Sequence, residues 1–348
     1  MKENRPVIRA LRILMPLVAI GCLIVFPPWQ GILAWIAPLP DSIDEQVDAA
    51  VRHGLDGIIV YVDRAGTEPA FYAAGWHDRA TRTPADPQAL FKIASISKLY
   101  IAAATARLAY EQRVSLDDTL ADLLPEWAGR IQYADRITLR MLLQHRSGLP
   151  NFTDDERFNW FDPSPDLRKN LELILDEPAR FPPDTRYQYS NTNYLLIGMI
   201  LDGILGYDHA SYIKEHILLP HALFRTYDSL SDAPIDSIMS GYHHGIDADL
   251  KRIDYTIPGG SMIADARDVG TFLRALHDGS LLGAGTQEIY ASVYEFNHTG
   301  WLPGYQSIAR FHPDLDAVVI QFVNSTGGNT ELVARVVYDR IVRILRGP

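Results

Sequence analysis

The chain of 348 residues contains a single cysteine, Cys22. Everything beyond it can form neither a disulfide nor a thiolate metal site. A His-Glu-x-x-His motif is absent too, and His145 and the pair His243-His244 fall at no spacing that suits zinc, so no metal and no cofactor is expected. Internal repeats and low-complexity tracts are missing, which excludes solenoids and arrays. Basic charge is scarce. Setting aside Lys2, Arg5, Arg9, Arg12 and Glu3, the 32 Lys+Arg and 43 Asp+Glu fall to 28 basic against 42 acidic residues. A surface that acidic argues against nucleic acid and against a broad polybasic membrane patch. The sequence carries no signature of an oligomeric state.

Charge of either sign is absent from Ile13 to Pro40, directly after the four basic residues. Three readings compete for residues 1–40: an uncleaved signal anchor, a cleaved signal peptide, and a lipoprotein signal ending at Cys22. No small-x-small cleavage site follows the apolar run, and four more apolar residues follow the cysteine in Ala19-Ile-Gly-Cys22. The run Ile13 to Phe26 is short for a spanning helix and meets Pro27-Pro28; extension through Trp29 to Ile36 supplies enough length. Because basic residues flank only the N-terminal side, the expectation is an uncleaved single-pass anchor in the cell membrane. Residues 41–348 then form a domain outside the cytoplasm, on the periplasmic side.

What the body does contain is a chain of legible elements. Ser42-Ile-Asp-Glu45 has the form of a capping box, and Ile43, Val47 and Val51 follow at helical spacing, with Gly54 as the stop. A domain starting at residue 41 is accordingly expected to fold without the leader. Gly57 to Asp63 and Pro69 to Trp76 read as a hairpin. From Leu116 to Gly245 the pattern is helical pieces punctuated by proline and glycine. Strand signals return at Tyr294 to Thr299, Gln306 to His312 and Ala317 to Asn324, before an amphipathic helix from Glu331 to Leu345. Strands from both ends of the chain must therefore share one sheet, with the helical middle as an inserted lobe and a cleft between the two.

Phe91-Lys-Ile-Ala-Ser-Ile-Ser-Lys-Leu-Tyr100 places Ser95 and Lys98 one helical turn apart in apolar surroundings. Ser-x-x-Lys alone is weak, since a chain of this length contains about one by chance. A second copy, Ser211-Tyr-Ile-Lys214, sits among Glu215 and His216 and reads as a solvated helix face. A lysine among Phe91, Ile93, Ala94, Ile96 and Leu99 is costly in its charged form, so it can be partly neutral and relieve a serine of its proton. Two more short motifs complete a set. Tyr189-Ser-Asn191 stands before a predicted helix, and His298-Thr-Gly300 ends a predicted strand; each is the single example of its pattern in the chain.

These three motifs, in this order, resemble those of the penicillin-recognising serine hydrolases, in the class C β-lactamase and DD-peptidase branch. Supporting segments are Leu142-Leu-Gln-His-Arg-Ser-Gly-Leu-Pro150, Pro258-Gly-Gly-Ser-Met-Ile-Ala-Asp-Ala-Arg-Asp-Val-Gly270 and Gly304-Tyr-Gln-Ser307. The resemblance implies an α/β (α+β) fold: a central antiparallel sheet flanked by helices, an inserted mainly helical lobe, and the active site in the cleft between them. The sheet lobe covers about 41–100 and 255–348, and the helical lobe about 101–254.

By the same resemblance Ser95 is the nucleophile, Lys98 its base, and Tyr189 a proton shuttle to the leaving group. Asn191 binds a substrate carbonyl and steadies Lys98. His298 acts electrostatically or by hydrogen bonding, and Thr299 donates to a substrate carboxylate. Gly300 belongs to the same strand, and Trp301 supplies an oxyanion N–H alongside that of Ser95. The Trp301 side chain either narrows the substrate range or simply packs. With an unperturbed pKa near 6.5, His298 is mostly neutral at pH 7, so activity on carboxylate substrates should rise below about pH 6.5. The implied activity is hydrolysis through an acyl-enzyme of an ester or a D-alanyl peptide or β-lactam-like amide, with a small molecule or peptide as substrate. The alternative is a non-turnover penicillin- or peptidoglycan-binding sensor of the same fold.

Overall fold

The computed structural model describes residues 5–25 and 27–347. The parts of the anchor expectation that rest on Lys2 and Phe26 lie outside the described residues. The architecture is a mixed α/β fold around a six-stranded antiparallel sheet. Its strands run in the order Thr83–Pro84, Ala70–Asp78, Gly57–Arg64, Ala317–Val323, Tyr305–His312 and His298–Leu302. The two ends of the chain meet at its centre, where Ile58 pairs with Val323 and Val62 with Val319.

Strand periodicity decides what covers each face. Ile58, Val60, Val62, Val319 and Val323 point to one side, where the helices Ile43–Arg52 and Thr330–Arg346 close over them with Val47, Val333, Val337 and Ile341. Ser42 caps the first of these helices by accepting from the Glu45 N–H at 3.2 Å. Ile59, Tyr61, Val318, Ile320 and Phe322 point to the other side, into the main core. There the helix Ala266–Asp278 comes so close that a Cβ on Gly270 would lie 2.2 Å from the Tyr61 ring.

The same core receives the helix Ser97–Tyr110, which is buried almost throughout. Its run of Ala102, Ala103, Ala104 and Ala106 keeps one face thin, so that the helices Asn191–Leu205 and Ala284–Val293 can pack against it. The middle of the chain is helical, in short pieces with side-chain caps at Thr119, Thr138, Asp166 and Asp208.

One expected element is placed differently. The strand expected over Tyr294 to Thr299 begins only at His298, because residues 294–297 connect it to the helix Ala284–Val293. The Tyr290 hydroxyl donates to the Glu295 carbonyl at 2.7 Å, and the Phe311 N–H donates to Asn297 Oδ1 at 2.7 Å. These bonds hold the segment as a turn, although its alternating residues look like a strand.

Residues Trp29–Ile36 form a helix that docks on the C-terminal helix, where a Cβ on Gly31 would lie 2.4 Å from Leu332. Arg340, only 6% exposed, donates to Gln46 Oε1 at 2.7 Å, to the Ala37 carbonyl at 2.8 Å and to the Pro38 carbonyl. Among the described residues no helix is long and apolar enough to cross a membrane. Starting the chain at residue 41 rather than 27 removes two of the three acceptors of this buried guanidinium. The shorter chain is expected to lose about 1–3 kcal/mol, and equal urea midpoints for the two would overturn that expectation.

Candidate active site

Ser95 sits at a constrained turn between a strand and a helix. Phe91–Lys92 pairs with Ile263–Ala264, and a short 3-10 turn over Ala94–Ile96 leads into the buried helix. Ala94 has φ of +52°, a left-handed conformation that costs a residue with a Cβ about 1–2 kcal/mol. Neighbouring hydrogen bonds hold it there. Ser97 Oγ donates to the Ala94 carbonyl at 2.6 Å and accepts from the Met262 N–H at 3.2 Å, while Ser307 Oγ donates to the Ile93 carbonyl at 2.9 Å. The turn lies directly beneath the edge strand: a Cβ on Gly300 would stand 2.3 Å from the Ile93 carbonyl and 2.9 Å from Ala94 Cβ. Only glycine fits at 300.

Lys98 is 1% exposed, and its Nζ lies 2.8 Å from the Gly259 carbonyl, 2.9 Å from Asn191 Oδ1 and 3.3 Å from Ser95 Oγ. Burial brings its pKa down to about 7. As an ammonium it donates to all three oxygens, and the same set also serves the neutral amine. Two of the three neighbours are carbonyl oxygens, which can only accept, and they take the two N–H bonds of an NH2 group. The remaining lone pair is left for the one neighbour that has a proton to give, the Ser95 hydroxyl.

The Tyr189 hydroxyl donates to the same Ser95 Oγ at 2.8 Å. Burial raises its pKa further above the usual phenol value, so it stays protonated. Asn191 opens the helix Asn191–Leu205, with its N–H on Asn151 Oδ1 at 2.9 Å and its Nδ2 on Thr153 Oγ1 at 3.0 Å. Both ends of its amide are thereby engaged, one by Thr153 and one by Lys98. Behind Tyr189 stands His145, with ring centroids 4.5 Å apart. Its Nδ1 accepts from the Ser190 N–H at 3.3 Å and from Asn193 Nδ2 at 3.1 Å, which puts the ring proton on Nε2. Burial, then the charge of Lys98, holds His145 neutral with a pKa near 3. The sequence marked it only as a histidine at no spacing that suits zinc; its place against Tyr189 depends on the turn at residue 145 (φ +55°), which no local pattern signals.

His298, Gly300 and Leu302 are buried, while Thr299 and Trp301 alternate to the exposed side of the edge strand. The Trp301 indole N–H donates to Glu331 Oε1 at 3.1 Å, and the ring stands edge-on to Trp160 at 5.7 Å. The indole packs on these neighbours, and Trp301 keeps 39% of its surface exposed. The backbone does something different. Leu302 pairs with Tyr305 across a two-residue turn at Pro303-Gly304, so Trp301 falls at a non-hydrogen-bonded position opposite Gln306. Its N–H therefore points out from the sheet edge instead of into the ladder.

The expected titration of His298 near pH 6.5 is corrected by its surroundings: burial, then the charge of Lys98, takes its pKa to about 4. The ring is neutral throughout the neutral range, so the expected rise in activity below pH 6.5 has no group to produce it. A cleft of about 440 Å³ opens beside it, lined by Tyr187, Tyr189, Glu295, His298, Thr299 and Arg310.

The structure thus brings Ser95, Lys98, Tyr189, Asn191, His298 and Gly300 together, and leaves the side chains of Thr299 and Trp301 on the outer face. Groups at the site not singled out from the sequence include the Gly259 carbonyl that orients Lys98, Asn151 and Thr153 against Asn191, and Tyr294 beside His298. The Pro258-Gly-Gly260 motif carried a signal for the first; the others had none. Ser211 donates to Asp208 Oδ2 at 3.0 Å within a helix cap, and Lys214 is exposed. Among the described residues no cluster of His, Cys, Asp or Glu is placed to hold a metal ion.

A family model described as Beta-lactamase matches residues 41–295. Penicillin-binding protein 4* of Bacillus subtilis (strain 168) is 23% identical over 266 residues, 71% of this chain and 58% of that protein. Protein flp of Staphylococcus aureus (strain MW2) is 26% identical over 210 residues, 56% of this chain and 41% of that protein. The chain spans about half the length of these curated relatives. In fold it is similar to D-amino acid amidase from Ochrobactrum anthropi SV3 complexed with L-phenylalanine amide, with a TM-score of 0.78 at 23% identity, over 87% of this chain and 97% of that one. It is also similar to a penicillin binding protein from Bacillus halodurans, with a TM-score of 0.71 at 20% identity, over 85% of this chain and 99% of that one.

Gly259 allows a direct check on Lys98. Its φ is +75°, and a Cβ there would lie 2.7 Å from Lys98 Cγ and 3.0 Å from the Tyr194 ring. Gly259→Ala is expected to destabilise the fold by about 1–3 kcal/mol. By displacing the amine it should also slow fluorophosphonate labelling of Ser95 roughly tenfold or more. Unchanged labelling kinetics would show that Lys98 does not need this carbonyl.

Proposed function

Because the chain belongs to the Beta-lactamase family, we propose that it is a serine hydrolase that cleaves an ester or a D-alanyl peptide or β-lactam-like amide through an acyl-enzyme on Ser95. The observation that carries this reading is the convergence of Lys98 Nζ and the Tyr189 hydroxyl on one oxygen, Ser95 Oγ. Neutral Lys98 accepts the Ser95 proton as Oγ forms its bond to the substrate's carbonyl carbon. The oxygen of that carbonyl becomes an anion, facing the N–H groups of Ser95 and Trp301. Collapse expels the leaving group, which takes the Tyr189 proton, and the Lys98 ammonium returns a proton to Tyr189. Water then enters on the same path with the proton movements reversed, and releases the acid product.

Substrate contacts follow from the same geometry. Asn191 serves chiefly to hold Lys98, since its Nδ2 already donates to Thr153. Thr299 and Arg310 border the cleft beside Tyr189, on the leaving-group side. Arg310 offers a substrate carboxylate the cationic partner that neutral His298 does not. The N-terminal segment acts as a membrane anchor with the hydrolase domain outside the cytoplasm. That part of the reading is supported by the uncharged stretch Ile13 to Pro40 and by the exposed apolar side chains Ile13, Leu14, Met15, Leu17 and Val18.

Ser95→Ala should abolish covalent labelling by fluorophosphonate or penicillin, whereas Ser211→Ala should leave it intact; labelling that survives Ser95→Ala would overturn the nucleophile. Intact-protein mass spectrometry with a penicillin, an activated ester and a D-Ala-D-Ala peptide separates turnover from a stoichiometric, persistent adduct, which would indicate the sensor. For hydrolysis the sign of the pH dependence follows from Lys98. Below about pH 7 it is protonated and cannot accept a proton, so kcat/KM should rise with pH by one proton and level off above that value. A flat profile between pH 5.5 and 8.5 would exclude Lys98 as the base.

A further inference from the structure

Both nitrogens of His298 are spoken for. Nδ1 lies 2.5 Å from the Thr299 carbonyl, an oxygen that can only accept, so Nδ1 carries the proton. Nε2 lies 2.9 Å from the Tyr294 hydroxyl, with the two rings stacked at 19°. A neutral ring with its proton on Nδ1 has a lone pair on Nε2, and Tyr294 must then be the donor. Burial, then the neighbouring Tyr194 and Tyr189 phenols, keeps the Tyr294 hydroxyl protonated, as that role requires; Tyr194 stands at a ring-centroid distance of 5.5 Å.

We propose that Tyr294 is a positioning residue for this site: its hydroxyl occupies the Nε2 lone pair of His298 and holds the ring as the neutral Nδ1–H tautomer, so that Lys98 alone exchanges protons with Ser95 and Tyr189. The alternative arrangements are disfavoured by what surrounds the ring. Lys98 and His145 are basic groups close enough to act on the ring, and a second ring proton, on Nε2, would add a second cation beside the Lys98 ammonium. Glu295 Oε1 stands 3.6 Å from Nε2, the one neighbouring charge that would favour the imidazolium, but its side chain is 61% exposed. Arg310, in the same cleft, opposes it. Tyr189 lies across the cleft at a ring-centroid distance of 6.4 Å. With Nε2 filled by Tyr294, the Tyr189 hydroxyl is left to Ser95.

The proposal rests on the Ser95 hydrolase reading only for its kinetic arm. In the full chain labelled with 15N-histidine, and with the His298 signals assigned by their loss in His298→Gln, the wild type should show the Nδ1–H tautomer from pH 5 to 8. A charged ring or the Nε2–H tautomer in that range overturns the proposal whether or not the protein hydrolyses anything. In Tyr294→Phe, His298 should protonate at higher pH. The acid limb of kcat/KM for p-nitrophenyl acetate should steepen from one proton to two, with a loss of roughly threefold to tenfold at pH 6 and little change at pH 8. Tyr294→Gln, whose amide can donate to Nε2, should restore the single-proton limb. A uniform loss at every pH in Tyr294→Phe, with the His298 tautomer unchanged, would mean that Tyr294 only packs. If Tyr294→Phe fails to fold, the wild-type tautomer and the Tyr294→Gln profile decide. Absence of ester turnover alongside the stated tautomer would count against the hydrolase reading and not against Tyr294.

Discussion

The site depends on one buried amine. Bringing a lysine from its ordinary pKa of 10.5 to about 7 means that its charged form is destabilised by about 5 kcal/mol. Lys98 stays in place because three distant segments converge on it: the nucleophile turn, the Asn191 helix start and the Gly259 carbonyl. Remove any of these and the amine either gains water or loses its aim. The same burial that makes the lysine a base at neutral pH makes Tyr189, His145 and His298 electrically quiet, since each is desolvated toward its neutral form. One environment thus selects one proton acceptor from four candidates.

The oxyanion geometry depends on a second constraint, the edge position of His298–Leu302. An interior strand would spend every N–H on its two neighbours, whereas an edge strand leaves alternate N–H groups free. The tight turn at Pro303-Gly304 sets the phase, so that the free one belongs to Trp301. Gly300 lets the strand settle directly onto the Ile93–Ala94 turn that precedes Ser95, as the proposed oxyanion role of that N–H requires. The indole then serves a separate purpose, bridging Glu331 on the C-terminal helix and Trp160 across the cleft.

Much of this was legible in the residues. The sheet shared by both chain ends, the helical middle and the apolar setting of Ser95 and Lys98 follow from periodicity and from a polar pair in an apolar helix; the antiparallel order was implied by the family resemblance. What the sequence did not disclose was solvation. A histidine in His298-Thr-Gly300 carries no local mark of being buried under two tyrosines, so the sequence alone leaves it an ordinary titration that burial and Lys98 lower. Tyr294 was hidden for a related reason. The alternation through residues 294–299 looks like a strand, but bonds from Tyr290 to Glu295 and, over a long range, from Phe311 to Asn297 hold the segment out of the sheet, where the tyrosine meets the histidine. Thr299 and Trp301 were assigned through the resemblance; the pleat sends their side chains to the face opposite His298 and Gly300, and Thr299 still borders the cleft.

The pairing of Gly57–Arg64 with Ala317–Val323 has a consequence for how the protein is made. During synthesis the first hairpin and the Ser95 turn emerge long before the strand that completes the sheet. Until then the Ile58 to Val62 segment is an open hydrophobic edge, and Ser95 has no Trp301 beside it. Such a high separation between partners predicts slow folding with an exposed intermediate. A nascent or C-terminally clipped chain thus holds Ser95 and Lys98 without the edge strand that carries His298 and Trp301, and on the proposed reading has no complete site until the last fifty residues are in place.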